Sequence, residues 1–367
     1  MGLPCRAVGK ALREYAVNAE KGLSPRTVLF ACPDLPDPLA IRQDLVYNEY
    51  EENKERTVYD MKREDITLPS SAEGKRLHTV VWTPEDEPRA VLQLTHGMAE
   101  YIGRYEPFAE YLAERGIASI GHDHLGHGET ASDERELGFF AEGDASETVI
   151  RDMRAVTLEA KRRFPGLPVF LLGHSMGSFF VRRYLPLYGG EIAGAVLMGT
   201  GWIPGSVANA GRSLSRLICR FKGERTVSPM LESMVLGGNA KAFPEDGRLG
   251  WLSKRRQNVV DYEADPLCGF PFTAGAYRDF MTVLSHVAAE DGYDGIRRTL
   301  PILVISGELD PVGGKAAVEK VAGEYRSLEF TDVTAKICPG DRHEILNEDD
   351  RAEVMAYLAD WIAARVK

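Results

Sequence analysis

From residue 90 onward, short runs of wholly apolar residues alternate with longer stretches in which apolar side chains recur every three or four positions. Residues 90–95, 117–122, 168–173, 193–199, 301–306 and 328–338 read as strands, and 105–115, 145–164, 176–188, 315–325 and 349–366 as helices. Two further strands, 63–68 and 77–82, are predicted just upstream, joined by a turn at Ser70-Ser71-Ala72-Glu73-Gly74. A strand that is apolar throughout has both faces covered. Strands of that kind alternating with helices predict an α/β chain with eight strands, mostly parallel, and helices on both faces.

Two segments fall outside this rhythm. Residues 202–290 separate two sheet strands and are too long for a plain crossover. Their apolar residues (Trp202, Ile203, Leu214, Phe221, Trp251, Phe270 and Phe272 among them) predict an insertion with its own small helices, a cap over the carboxyl ends of the strands. Residues 1–60 show no apolar periodicity tied to a core. Pro33, Pro36 and Pro38 interrupt them, and a charged run from Glu49 to Arg56 follows. They are read as an N-terminal extension, either an appended arm or the product of a start codon placed too early. The core is then 61–201 with 291–367, and the cap 202–290.

Composition narrows the field. The 367 residues carry a net charge of −11, with 44% hydrophobic and 27% charged residues, a globular mixture that argues against a phosphate-backbone binder. Nucleic acid is therefore not an expected partner. No run of ~18 apolar residues is present to span a bilayer. The first 30 residues hold scattered charges with no apolar block, against a secretory signal. The five cysteines lie at wide, unmatched spacings, neither a disulfide framework nor a CxxC metal site, and the cytoplasm is the expected location.

The chemistry concentrates at strand ends. Gly173-His174-Ser175-Met176-Gly177 follows one apolar strand and opens a helix, the G-x-S-x-G pattern in a strand–turn–helix setting. Such a turn strains the serine backbone, so its neighbours must be small, and it presents the hydroxyl above a helix N-terminus. A serine hydroxyl needs a base, and the base an orienting acid. Asp310 closes the strand at 301–306, and His343 lies just beyond the next one, in the chain order Ser, Asp, His that suits this architecture. Asp341 and Glu308 are weaker rivals for the acid. His96-Gly97-Met98 follows another strand and can aim a backbone N–H into the site. Met98 is favoured over Gly97 as the oxyanion donor beside Met176. Phe270, Phe272 and Trp202 are the expected substrate-contacting residues of the insertion. His122-Asp123-His124 with His127 invites a metal reading, but a hydrolytic zinc cluster needs aspartate where Gly126 stands. These residues are read as bracing the loop, with no metal and no cofactor expected. Gly199-Thr200-Gly201 lacks the spacing of a dinucleotide loop, because Gly205 comes one position late.

Taken together, the segments His96-Gly97-Met98-Ala99-Glu100 with Arg104-Tyr105, Asp123-His124-Leu125-Gly126-His127-Gly128, Gly173 to Ser178, Ser306 to Asp310, and Arg342-His343-Glu344 with Asn347-Glu348 resemble the α/β-hydrolase superfamily. More narrowly they resemble its monoacylglycerol lipase and lysophospholipase branch, which carries the serine aminopeptidase domain. The resemblance implies a triad of Ser175, Asp310 and His343, an oxyanion hole from Met98 and Met176, and a helical cap that admits an acyl chain. It implies hydrolysis of carboxylic esters of lipids, a monoacylglycerol or a lysophospholipid, through an acyl-serine. The alternatives are an aminopeptidase of the proline iminopeptidase type, anchoring a substrate ammonium on Glu232, Asp261, Glu263 or Asp265, and a short-chain carboxylesterase. The expected partner is a small lipid or ester, met in solution or by transient contact with a membrane surface. No feature of the sequence selects a homo-oligomer over a monomer.

Overall fold

The computed structural model describes residues 61–366; the expectations for residues 1–60 lie outside that range. Eight strands form one sheet: β1 (Lys62–Pro69), β2 (Arg76–Thr83), β3 (Ala90–Thr95), β4 (Ile117–His122), β5 (Val169–His174), β6 (Gly194–Met198), β7 (Ile302–Gly307) and β8 (Val333–Cys338). Their order across the sheet is β1-β2-β4-β3-β5-β6-β7-β8. β1 pairs antiparallel with β2 and β2 with β4, while every pairing from β4 to β8 is parallel. Every residue of β3 to β7 is buried, as continuous apolar runs require when helices cover both faces. The edge strand β1 instead opens with Lys62, Arg63, Glu64 and Asp65, charges that discourage pairing with another chain.

Alternate residues of the central strands feed two cores. Leu92, Leu94, Phe170, Leu172, Val196 and Met198 pack beneath α1 (Glu106–Ala113) and α9 (Arg351–Ala363). Leu171, Ala195, Leu197 and Val304 pack on the opposite face under α2 (Ser146–Arg163), α3 (Met176–Tyr188) and α8 (Gly314–Ser327). The predicted last strand is shorter than expected. The chain turns through Glu329, whose φ is +64°, and Thr331 bonds back to Arg298, so β8 begins only at Val333.

Between β6 and β7 lie α4 (Gly205–Lys222), α5 (Pro229–Leu236), α6 (Arg256–Ala264) and α7 (Ala274–Val287). α7 is almost wholly buried and joins the α2/α3 core. α4 rests on it through the small residues Ala208, Gly211 and Ser215, with Gly211 against Met281 and Leu214 and Ile218 partly buried on the same core, while Val207, Leu217 and Phe221 are exposed. Among the described residues no helix is long and apolar enough to cross a membrane.

Candidate active site

The loops at the carboxyl ends of β3, β5, β7 and β8 meet beneath α5 and α6. β5 runs into the turn at Ser175, which is held at φ 51°, ψ −119°, a region that side-chain-bearing residues rarely occupy. The strained turn is fixed from both sides: Ser175 N–H donates to the Met198 carbonyl, and the Ser175 carbonyl accepts from Ser178 N–H, each at 2.9 Å. Both flanking glycines are sterically required. A Cβ at Gly173 would lie 2.3 Å from the Gly177 carbonyl oxygen, and one at Gly177 would lie 2.3 Å from that of Thr95.

Asp310 follows β7 and His343 follows β8. Because these strands are neighbours, His343 Nδ1 meets Asp310 Oδ1 at 2.9 Å, although 33 positions separate them. Oδ1 also accepts from Val312 N–H at 2.9 Å, and Oδ2 from the Ser306 hydroxyl at 2.7 Å. Burial pushes the Asp310 carboxyl up, but the charge and hydrogen bond of His343, with Ser306 and Val312, hold it below the usual range. An ionised carboxylate only accepts, so His343 Nδ1 is the donor in this contact and Nε2 is the nitrogen left free of it. The rivals are committed elsewhere: Asp341 takes Lys254 Nζ at 2.5 Å, and Glu308 accepts from Gly340 N–H. Ser175 and His343 share the wall of one cavity but are not hydrogen-bonded to each other in this state.

That cavity has a volume of about 470 Å³, within the span of small-molecule sites. Phe270, Phe272, Phe179, Phe280, Val235 and Leu236 supply much of its wall. Trp251 packs its ring 4.9 Å from that of His343, a contact no sequence signal pointed to. Trp202 does not line the cavity: its indole N–H donates to Glu324 at 2.6 Å and Lys320 stacks on its ring, so it belongs to the contact with α8. Of the four carboxylates considered as ammonium anchors only Glu232 reaches the cavity, with Arg248 3.8 Å away. Asp265 instead accepts from the Tyr101 hydroxyl.

The β3 loop separates the two oxyanion candidates. Gly97 N–H donates to Glu100 Oε1 at 2.6 Å, whereas Met98 N–H and Met176 N–H have no acceptor within the described residues. Met176 is the first residue of α3, where backbone N–H groups have no intrahelical partner. Asp123 braces the neighbouring loop: its carboxylate accepts from Ile102 N–H (2.7 Å), Glu129 N–H (2.8 Å) and His78 Nδ1 (2.8 Å). His96 and His127 are wired to backbone, His96 Nε2 accepting from His124 N–H at 3.0 Å. Sequence reasoning assigned no role to Glu100, Arg104, His174 and Glu344, which form a buried charged cluster directly under these loops.

The family described as "Serine aminopeptidase, S33" matches residues 86–350. A monoacylglycerol lipase of Mycolicibacterium smegmatis is 32% identical over 301 residues, covering 80% of this chain and 95% of that protein. Human monoglyceride lipase is 28% identical over 320 residues, covering 86% and 96%. Among solved structures, a thermostable carboxyl esterase from Bacillus coagulans in complex with glycerol superposes with a TM-score of 0.77 at 26% identity, covering 84% of this chain and all of that one. These define an α/β-hydrolase. The chain belongs to the serine aminopeptidase S33 family, in its monoacylglycerol lipase-like group.

Proposed function

We propose that this enzyme hydrolyses carboxylic esters of lipids, with monoacylglycerol as the preferred substrate, through an acyl-enzyme on Ser175. One observation carries the reading: the strained Ser175 and the Asp310–His343 pair open onto the same largely aromatic and aliphatic cavity. The relatives named above, monoacylglycerol and monoglyceride lipases over nearly their whole length, support the substrate class.

In this reading His343 Nε2 takes the Ser175 proton as Oγ attacks the ester carbonyl. The unpaired N–H groups of Met98 and Met176 receive the oxyanion, and the alcohol departs with the proton from His343. Water then attacks the acyl-enzyme by the same route. Asp310 holds the imidazole tautomer and stabilises its cation. The Oγ–Nε2 bond forms as substrate fills the cavity, the usual tightening of a catalytic contact on binding.

Residues 202–290 act as the cap. Its outer face carries the exposed Leu217, Phe221, Met230 and Met234 beside Arg216, Arg220 and Lys222. Such a face favours transient contact with a lipid surface, from which a single-chain substrate is drawn. The apolar wall favours ester over peptide substrates, and the carboxylates that reach it already have cationic neighbours, Arg248 beside Glu232 and Arg104 on Glu100 and Glu344.

The test is a hydrolysis panel of monoacylglycerols, lysophospholipids, short p-nitrophenyl esters and aminoacyl anilides, run with the wild type and Ser175→Ala. Monoacylglycerol turnover that vanishes in folded Ser175→Ala supports the reading. Turnover confined to the anilides, or retained in the variant, overturns it.

A further inference from the structure

Glu100 is 3% exposed and surrounded by donors. Its Oε1 accepts from Gly97 N–H (2.6 Å), His174 Nδ1 (3.0 Å) and the Tyr105 hydroxyl (3.0 Å), and its Oε2 from Arg104 at 2.7 Å. Arg104 then forks onto both oxygens of Glu344, at 2.8 and 2.7 Å. Glu344 also accepts from Asn258 of α6 at 2.6 Å. On the far side of its ring, His174 Nε2 lies 3.3 Å from the His343 carbonyl oxygen.

The protonation of His174 follows from its partners. An ionised carboxylate and a carbonyl can only accept, so both ring nitrogens donate and the side chain is an imidazolium. The charged groups facing it are Glu100, Glu344 and Arg104; His96 and His343 are the neighbouring imidazoles. Burial opposes the charge on His174, but the hydrogen bond and charge of Glu100 outweigh it, and its pKa is raised. For Glu100 itself, burial pushes the carboxyl up while His174 and Arg104 hold it well down. Two anions and two cations thus balance, as a buried cluster requires.

The quartet touches the loops that follow β3, β5 and β8. Gly97 sits against the nucleophile turn: a Cβ there would meet Glu100 at 2.7 Å and Ser175 Cβ at 3.2 Å. Because Glu100 takes the Gly97 N–H, the next amide, that of Met98, is the one left unpaired. Ala99 follows at φ +51°, its carbonyl held by the Tyr262 hydroxyl (2.8 Å) and Gly269 N–H (2.9 Å) from the 202–290 segment. His174 precedes Ser175, and Glu344 follows His343.

We propose that Glu100 is a positioning residue: bridged by the His174 imidazolium and by Arg104 to the His343–Glu344 loop, it sets the oxyanion donor of the β3 loop and the base in mutual register. The proposal rests on the serine-hydrolase reading above. Glu100 touches no reacting atom and acts through the backbone of Gly97 and Met98.

The experiment compares wild type with Glu100→Gln and His174→Gln, with Ser175 sites counted by saturating fluorophosphonate labelling. A glutamine cannot accept from Gly97, His174, Tyr105 and Arg104 together. We expect kcat per labelled site to fall about 10–100-fold with KM within about threefold, since one oxyanion donor is commonly worth ~10²–10³ in rate. A long-chain trifluoromethyl ketone, which forms the oxyanion, should weaken in step with kcat. The product fatty acid should keep its affinity within about twofold. In the wild type at pH 8, 15N shifts should show His174 protonated on both nitrogens. Unchanged kcat per labelled site, equal loss of both ligands, or a neutral His174 would each overturn the proposal. If Glu100→Gln does not fold, His174→Gln and the 15N spectrum still decide. A wild type whose Ser175 resists labelling sinks the hydrolase reading, whereas a labelled enzyme whose variants keep kcat sinks only the positioning role.

Discussion

Asp310 Oδ1 lies 2.9 Å from His343 Nδ1, and it reaches that position with its second oxygen already held by Ser306 at 2.7 Å. The carboxylate is thus oriented before the imidazole meets it. Asp310→Asn can present an amide N–H where the histidine needs an acceptor, which favours the wrong tautomer. We expect kcat to fall about 10³–10⁴-fold with little change in Tm, measured on a monoacylglycerol. A loss below tenfold in a folded variant would refute the orienting role.

The strained turn at Ser175 leaves no space on its helix side. Gly177→Ala places a methyl 2.3 Å from the Thr95 carbonyl oxygen and 2.6 Å from that of His96, both backbone atoms of the β3 end. The turn must shift, so stability should drop by about 2–4 kcal/mol and esterase activity should be lost. Urea unfolding measures the first and fluorophosphonate labelling the second. Wild-type labelling rates would show that the turn tolerates displacement.

His122 is fully buried at the end of β4, and neither ring nitrogen has a partner among the described residues. Burial, reinforced by His96, lowers its pKa from 6.5 to about 3. Between those values the unfolded chain binds one proton more, so its contribution to stability is present above pH 6.5 and is lost as pH falls. The loss amounts to about 1.4 kcal/mol per pH unit. Asp279 and Asp341, with carboxyls pushed up to about 7 and about 6, act in the opposite sense, so the difference between variants is the measurement that isolates His122. His122→Leu should unfold at higher urea than wild type below pH 6.5, with the gap widening by about that slope. Parallel stability–pH curves would contradict this.

The outer face of residues 202–290 sets an apolar stripe against basic side chains. Phe221, 74% exposed, and Leu217 one turn earlier lie beside Arg216 and Arg220. Leu217→Asp with Phe221→Asp should leave hydrolysis of a soluble p-nitrophenyl ester within about twofold. Turnover of monoacylglycerol in anionic vesicles should fall about tenfold, from lost apolar contact and added repulsion. Equal effects on both substrates would place the defect inside the cavity instead.

Much of this architecture is local and therefore legible in the chain. Continuous apolar runs bounded by Gly and Pro marked the strands because burial on both faces removes polar alternation. Gly173-x-Ser175-x-Gly177 marked the turn because the backbone there passes within contact of its neighbours. The start of β8 was misread because Leu328 and Phe330 are apolar yet belong to the turn after α8, where they pack against or within the core beside Tyr325. Trp202 looked like a cavity residue by composition, but Glu324 draws its indole toward α8.

The sequence by itself determined the sheet, the strained serine and the residue types at the strand ends, since these depend on near neighbours and on backbone sterics. Tertiary structure alone decided which backbone N–H stays unpaired, because that turns on Glu100 reaching Gly97. It alone joined Arg104 to Glu344 across 240 positions. Partner choice at that range is set by which loops the strand order brings together, and no local pattern encodes that meeting.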